Sequence, residues 1–207
     1  MKVETEIKLR WNGTPQEAQA LIEGRGYAVS SPRTLETDQL FDLPSADLRQ
    51  SDRILRLRKT TSSEGTTRAM VTYKGPATRD GYKSREEIEF DVSDPATFTL
   101  VLHRLGYQPV FRYEKYRTQL HIAGEPGIIT IDETPIGVYL EIEGPRSWID
   151  STAERLGLSK MQFLTVSYAS LYRDYRAQHP AAPVDMTFDL DGPTPLEQNN
   201  LRRSKSY

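Results

Sequence analysis

Charged side chains recur at every second position through stretch after stretch of this 207-residue chain. Successive residues of a β-strand point to opposite faces, so residues two apart share one. In Val3–Arg10, Glu4, Glu6 and Lys8 share a face, opposed by Val3, Thr5, Ile7 and Leu9. In Ile54–Thr60, Arg56 and Arg58 are opposed by Leu55 and Leu57. In Arg68–Gly75, Lys74 shares a face with Thr72 and Met70, opposite Val71 and Tyr73. Arg85, Glu87 and Glu89 oppose Glu86, Ile88 and Phe90 in Ser84–Val92. In Val110–His121, Lys115, Arg117 and Gln119 share their face with Phe111 and Tyr113. Asp132 lies opposite Ile129 and Ile131 in Ile128–Glu133, and Glu141 and Glu143 lie opposite Leu140 and Ile142 in Val138–Gly144. A short stretch near Asp38–Asp42 brings the expected strands to eight.

For any one strand, a solvated face over a buried one accounts for the alternation. The set demands more, because these polar faces are mostly Glu, Lys and Arg rather than a mixture with Ser, Thr and Asn. If helices cover the apolar faces, the charged faces need a place of their own. Closing the sheet provides it, since a barrel has an inside and no unpaired edges. The expected fold is therefore α+β: a closed eight-stranded antiparallel β-barrel with helices packed outside. An interior lined by charge cannot be a dry core, because unpaired buried charges are very costly. It calls for water and a highly charged ligand.

The signs indicate which ligand. Lys8, Arg56, Arg58, Lys74, Lys115 and Arg117 suit a polyanion, the arginines offering two-pronged donors to phosphoryl oxygens. Glu4, Glu6, Asp132, Glu141 and Glu143 would repel that polyanion without an intervening cation, and oxygen-only ligands suit Mg²⁺ or Mn²⁺. Together they point to a metal-bound triphosphate. Neither GxxxxGK[ST] nor GxGxxG occurs, which excludes P-loop and Rossmann phosphate sites.

Helices are expected after Thr14-Pro15 and Asp94-Pro95, each an N-cap followed by an N1 proline, and over Ser147–Leu156 and Met161–Gln178. The chain divides into a barrel domain over 1–178 and a Pro-rich, polar tail over 179–207, expected to have no core of its own. With no Cys, thiolate metal sites and cysteine nucleophiles are excluded, and His103, His121 and His179 are too scattered for a His-rich site. A balance of 27 basic against 29 acidic residues argues against a nucleic-acid partner. The absence of a long apolar run argues against a membrane, so a cytoplasmic location is expected. The oligomeric state, a homodimer included, stays open.

Glu4-Thr-Glu6-Ile-Lys8 resembles the ExExK signature of the CYTH family, the triphosphate tunnel metalloenzymes. The resemblance continues in family order through ETDQLF, ILRLRK, VTYKGP, SREEIE, LGYQPVFRYEKYRT, ITIDETPIGVYLEIEG and TVSYASLY, from Val3 to about Tyr172. YKGP, SREEIE and EKYR are most similar to the class IV adenylate cyclase branch. The resemblance implies an eight-stranded tunnel in which Glu4, Glu6, Asp132, Glu141 and Glu143 hold metal. Lys8, Arg56, Arg58, Lys74, Lys115 and Arg117 would hold the triphosphate, with Lys74 and Glu87 taking catalytic roles. Two positions depart from the family pattern: Leu40 stands where many members carry Tyr, and Val166 where a basic residue is usual.

These residues suit a class IV cyclase, turning ATP into cyclic AMP and pyrophosphate. They equally suit a triphosphatase acting on tripolyphosphate or thiamine triphosphate, since both reactions rest on positioning and on electrostatic stabilisation by metal and basic groups. A binding module that holds nucleotide or polyphosphate without turnover is the alternative of another kind. The tyrosines Tyr168, Tyr172 and Tyr175 read as packing at helical spacing.

Overall fold

The computed structural model describes residues 2–188. Its strands are β1 (Lys2–Trp11), β2 (Ala28–Asp42), β3 (Ile54–Thr61), β4 (Thr67–Lys74), β5 (Thr78–Arg79), β6 (Lys83–Asp91), β7 (Gln108–His121), β8 (Ile128–Thr134) and β9 (Gly137–Glu143). They form one antiparallel sheet in the order β1-β9-β8-β7-β2-β3-β4-β6, and pairing of β1 with β6 closes the ring. The two-residue β5 clips onto the start of β6 outside that ring. The architecture is the expected closed eight-stranded barrel with helices outside.

The helices are α1 (Pro15–Glu23), α2 (Asp47–Gln50), α3 (Pro95–Arg104), α4 (Arg146–Arg155) and α5 (Tyr168–Gln178). Thr14 and Glu17 form a reciprocal capping box at α1, and the Asp94 carboxylate accepts from two backbone N–H groups at α3. Helices α1 and α4 cover the outward apolar faces of β1, β8 and β9, burying Ile7, Leu9, Ile22, Ile129, Leu140, Ile142 and Ile149 completely or nearly so. Helix α3 seals Phe41, Leu57 and Val71 through Leu102. The principal core thus lies outside the barrel wall, which leaves the inside to polar groups. No described helix is long and apolar enough to cross a membrane.

Two elements depart furthest from expectation. β2 is fifteen residues long rather than a short stretch near Asp38–Asp42. Pro32 disguises it: the register against β7 shifts on both sides of Ser31, and such irregularities admit a residue with no N–H to donate. The last helix starts at Tyr168 rather than Met161, because Leu164 exchanges both backbone hydrogen bonds with Lys8 of β1. A 3-10 turn over Lys160–Gln162 and an extended segment precede it.

The beginning of the expected tail also has a place in the core. Met186 is fully buried among Tyr113, Ile136, Tyr139, Tyr168 and Tyr172. Its N–H donates to the Arg112 carbonyl, and its own carbonyl accepts from Glu114 N–H. Here β7 extends past the end of β8, whose last partner on it is Tyr116. The segment supplies the missing neighbour, and that unmet backbone demand is the physical reason it docks. Residues 189–207 lie outside the described residues.

Candidate active site

The alternation read from the sequence turns one set of side chains into the barrel. A cavity of about 210 Å³ is lined by Glu4, Glu6, Lys8, Arg56, Arg58, Lys74, Glu87, Lys115, Arg117, Glu141 and Glu143. Every residue expected to bind phosphate lines it, and so does every expected metal ligand but Asp132. That carboxylate lies directly behind, fully buried and bonded to Lys115 and Arg117.

The charges are sorted between two walls. On β2, β3, β7 and β8, guanidinium and ammonium groups are interleaved with acids that already serve them. Arg58 grips Asp38 with two donors, Nε at 2.8 Å and Nη2 at 3.2 Å, and its Nη1 lies 2.9 Å from Glu36. Lys115 donates to Asp132 at 2.8 Å and lies 3.3 Å from Glu36. Arg117 Nε donates to Asp132 at 2.6 Å. Arg117 Nη2 is a third donor to Asp132 and the Tyr168 hydroxyl, 2.7 Å away, a fourth. Arg56 donates to Thr72 at 2.8 Å and lies 3.4 Å from Asp38 through Nε, which makes no hydrogen bond among the described residues. Its guanidinium lines the cavity and suits an anionic oxygen.

The facing wall, on β1, β6 and β9, has acid in excess. Glu4, Glu6, Glu87 and Glu143 are met there by Lys74, between Glu4 (3.2 Å) and Glu87, and by Lys83, which donates to Glu6 at 2.7 Å. Burial and the neighbouring Glu4 push Glu87 up to about 8 and Glu143 up to about 7. Glu4 is itself buried, yet hydrogen bonding from Glu87 and the Lys74 charge hold it well below the usual carboxylate range. These acids therefore compete for protons, because the carboxylates of this wall outnumber the lysines that meet them. Lys8 bridges the walls, 2.7 Å from Glu141 and 4.1 Å above the Tyr168 ring.

Among the described residues, no group of three metal-ligating side chains is drawn together as it stands. The donor chemistry of the acidic wall nonetheless fits a hard divalent cation: oxygen ligands only, with carboxylates in excess of the lysines that meet them. Glu4, Glu6 and Glu143 lie in that wall, and Glu87 joins them. Asp132 and Glu141 are instead occupied, Asp132 by four donors and Glu141 by Lys8 and Arg117.

Sequence reasoning missed Glu36, Asp38, Lys83, Arg85 and Tyr168 as members of the site. Glu36 and Asp38 continue the two-residue alternation backwards from Leu40, a signal interrupted by Pro32. Tyr168 begins a helix, where no strand period could show it. Leu40 packs beside Tyr113 and Tyr168, and Val166 contributes its carbonyl to Lys8 Nζ at 3.4 Å.

A larger vestibule of about 1030 Å³ shares Ile54, Lys83, Arg85 and Ser167 with the tunnel lining. One side is the 42–55 segment; the other is α5.

Comparison with known proteins places the chain in a family. Residues 2–168 match the CYTH domain. A protein of Methanocaldococcus jannaschii named "Putative adenylate cyclase MJ0240" is 27% identical over 179 residues, covering 82% of this chain and 98% of the relative. The PH1819 protein of Pyrococcus horikoshii OT3 superposes with a TM-score of 0.69 at 26% identity, over 84% of this chain and 99% of its own. A Hippeastrum protein described as a "putative adenylyl cyclase" with dominant triphosphatase activity shares the fold at 15% identity and a TM-score of 0.60, over 84% and 96% of the two chains. With its match running from the first described residue to the first turn of α5, this chain belongs to the CYTH domain family.

Proposed function

We propose that this protein binds a metal-complexed organic triphosphate inside the barrel and converts ATP to cyclic AMP and pyrophosphate, as a class IV adenylate cyclase does. The observation that carries the reading is the division of the tunnel into a cationic wall and an acid-excess wall, beside a vestibule that shares four lining residues with it and is large enough for an organic group.

Arg56, Arg58, Lys115, Arg117 and Lys8 would receive the phosphoryl oxygens. The acids now paired with these cations hold them in place, so the cationic wall is organised before substrate arrives. Glu4, Glu6 and Glu143, joined by Glu87, would hold Mg²⁺ or Mn²⁺. Such an ion would screen the triphosphate and stabilise charge developing on the leaving phosphoryl oxygens. Lys74 and Glu87, in direct contact, can keep or pass a proton at the tunnel wall.

Cyclisation takes its nucleophile from the substrate: the ribose 3′-oxygen attacks the α-phosphorus and pyrophosphate leaves. It asks for no hydroxyl from position 40, where this chain has Leu. Hydrolysis of a terminal phosphoryl group is the second reading. One observation favours it: Tyr113, cross-strand from Asp38, lines the tunnel next to Leu40 and could supply the hydroxyl that Leu40 lacks.

Chromatographic product analysis separates them, with ATP, tripolyphosphate and thiamine triphosphate under matched Mg²⁺ or Mn²⁺. Cyclic AMP plus pyrophosphate from ATP is the expected result. Orthophosphate from tripolyphosphate without cyclic AMP would assign hydrolysis, and binding without product would leave a polyphosphate-binding module.

A further inference from the structure

The vestibule combines two kinds of wall. Leu40, Phe111 and Tyr172 give it an apolar floor, the two rings lying 6.0 Å apart and tilted by 33°. Above that floor Arg49 and Arg53 reach in from one side, and Arg173 and Arg176 from α5 on the other.

Among the described residues only two acids line the space, and both are spent. Asp42 accepts three backbone N–H groups, from Leu43, Leu48 and Arg49. Asp52 is gripped by Arg79 and lies 3.7 Å from Arg85. Among the described residues, none of Arg49, Arg53, Arg173 and Arg176 has an acidic partner, and the buried Nε of Arg176 has no hydrogen-bond partner at all. Four uncompensated guanidinium groups around a low-dielectric floor focus a positive potential on whatever occupies it.

Resting on the tunnel reading above, we infer that this arginine ring selects the organic half of the substrate by charge. A planar group that is neutral or anionic, such as a nucleoside, is accepted; a cationic group, such as the thiazolium of thiamine triphosphate, is rejected. The apolar floor adds affinity for a ring that bare tripolyphosphate cannot use. Arg49, Arg53, Arg173 and Arg176 thus act as specificity determinants outside the reacting centre, by penalising the wrong partner as well as admitting the right one.

The test compares ATP with thiamine triphosphate, reading the concentration of each that half-saturates the thermal shift at equal free Mg²⁺. Both carry the same triphosphate, so their ratio isolates the organic half and cancels any change in attraction for the phosphates. In the wild type ATP should half-saturate at least about tenfold below thiamine triphosphate. Arg49→Glu with Arg173→Glu should erase or invert that ratio, and the Arg49→Gln, Arg173→Gln pair should narrow it partway. Both side chains are exposed, so folding should survive either change. An equal response to both compounds in the wild type overturns the inference, as does a ratio that neither double variant moves. Tripolyphosphate on the wild type is the control. Its failure to shift melting would instead overturn the tunnel reading, and the inference with it.

Discussion

Asp132 and Glu87 show how position within one cavity sets the behaviour of a carboxylate. Asp132 sits among donors and works as a scaffold for cations. Glu87 sits among acids, where burial and Glu4 raise it to about 8 from an ordinary 4.5. A folded-state value above the unfolded one means that the native protein binds the extra proton in between, so stability falls as pH rises through that window. Metal-free protein should therefore melt lower at about pH 9 than at about pH 5, with Glu87→Gln flattening the difference. A melting curve series in chelator checks this, and an unchanged slope in the variant would remove Glu87 as its source. The arginines make a second contrast. Arg58→Ala leaves Asp38 and Glu36 buried without their main partner and should cost about 3–5 kcal/mol. Arg56→Ala removes a side chain that meets Asp38 only at 3.4 Å, so it should destabilise less while still weakening tripolyphosphate binding. Denaturant melts paired with calorimetric binding separate the two effects.

Among the elements, seven of the eight barrel strands were legible because each keeps its two-residue period without interruption. β2 was legible only at its end: Ser30, Ser31 and Pro32 carry turn chemistry, and the bulges that absorb them are set by the partner strand β7. The same blindness hid Glu36. The start of α5 was obscured because Leu164 looks helical in composition, while its backbone is claimed by Lys8, a contact between residues far apart in sequence. The segment after α5 was misread for a related reason. Its value lies in filling the edge of β7 beyond β8, and Tyr172 fastens it by donating to the Pro183 and Asp185 carbonyls. Truncation after Ala182 should therefore lower the melting temperature sharply, whereas truncation after Phe188 tests only the remainder. Met186→Ala should cost about 2–5 kcal/mol, as large-to-small changes in full burial do. Equal melting of both truncated forms would reduce the segment to a surface decoration. The site itself was legible in its residue types and their facing, but not in its pairing. Which acid serves which cation depends on the order of strands around the ring.

For the molecule as a whole, an interior crowded with both signs makes stability depend on what it holds. A ligand that binds only the folded form stabilises by mass action, by about 2.7 kcal/mol at a hundredfold excess over its dissociation constant. Mg²⁺ with tripolyphosphate should raise the melting temperature more than the summed effects of either alone, since each relieves repulsion felt by the other. Calorimetry on the four combinations checks this, and strict additivity would show that metal and anion bind independently. The ring's closure has a consequence of another kind. β1 is held between β6 and β9, with Ile7 opposite Ile142 and Val3 opposite Glu86. The barrel's first strand is thus completed by its last, and pairings so distant in sequence form slowly. Until residue 143 emerges, β1 must wait with one edge bare, and its alternating Glu and Lys are what keep a waiting strand from joining its neighbours on other chains.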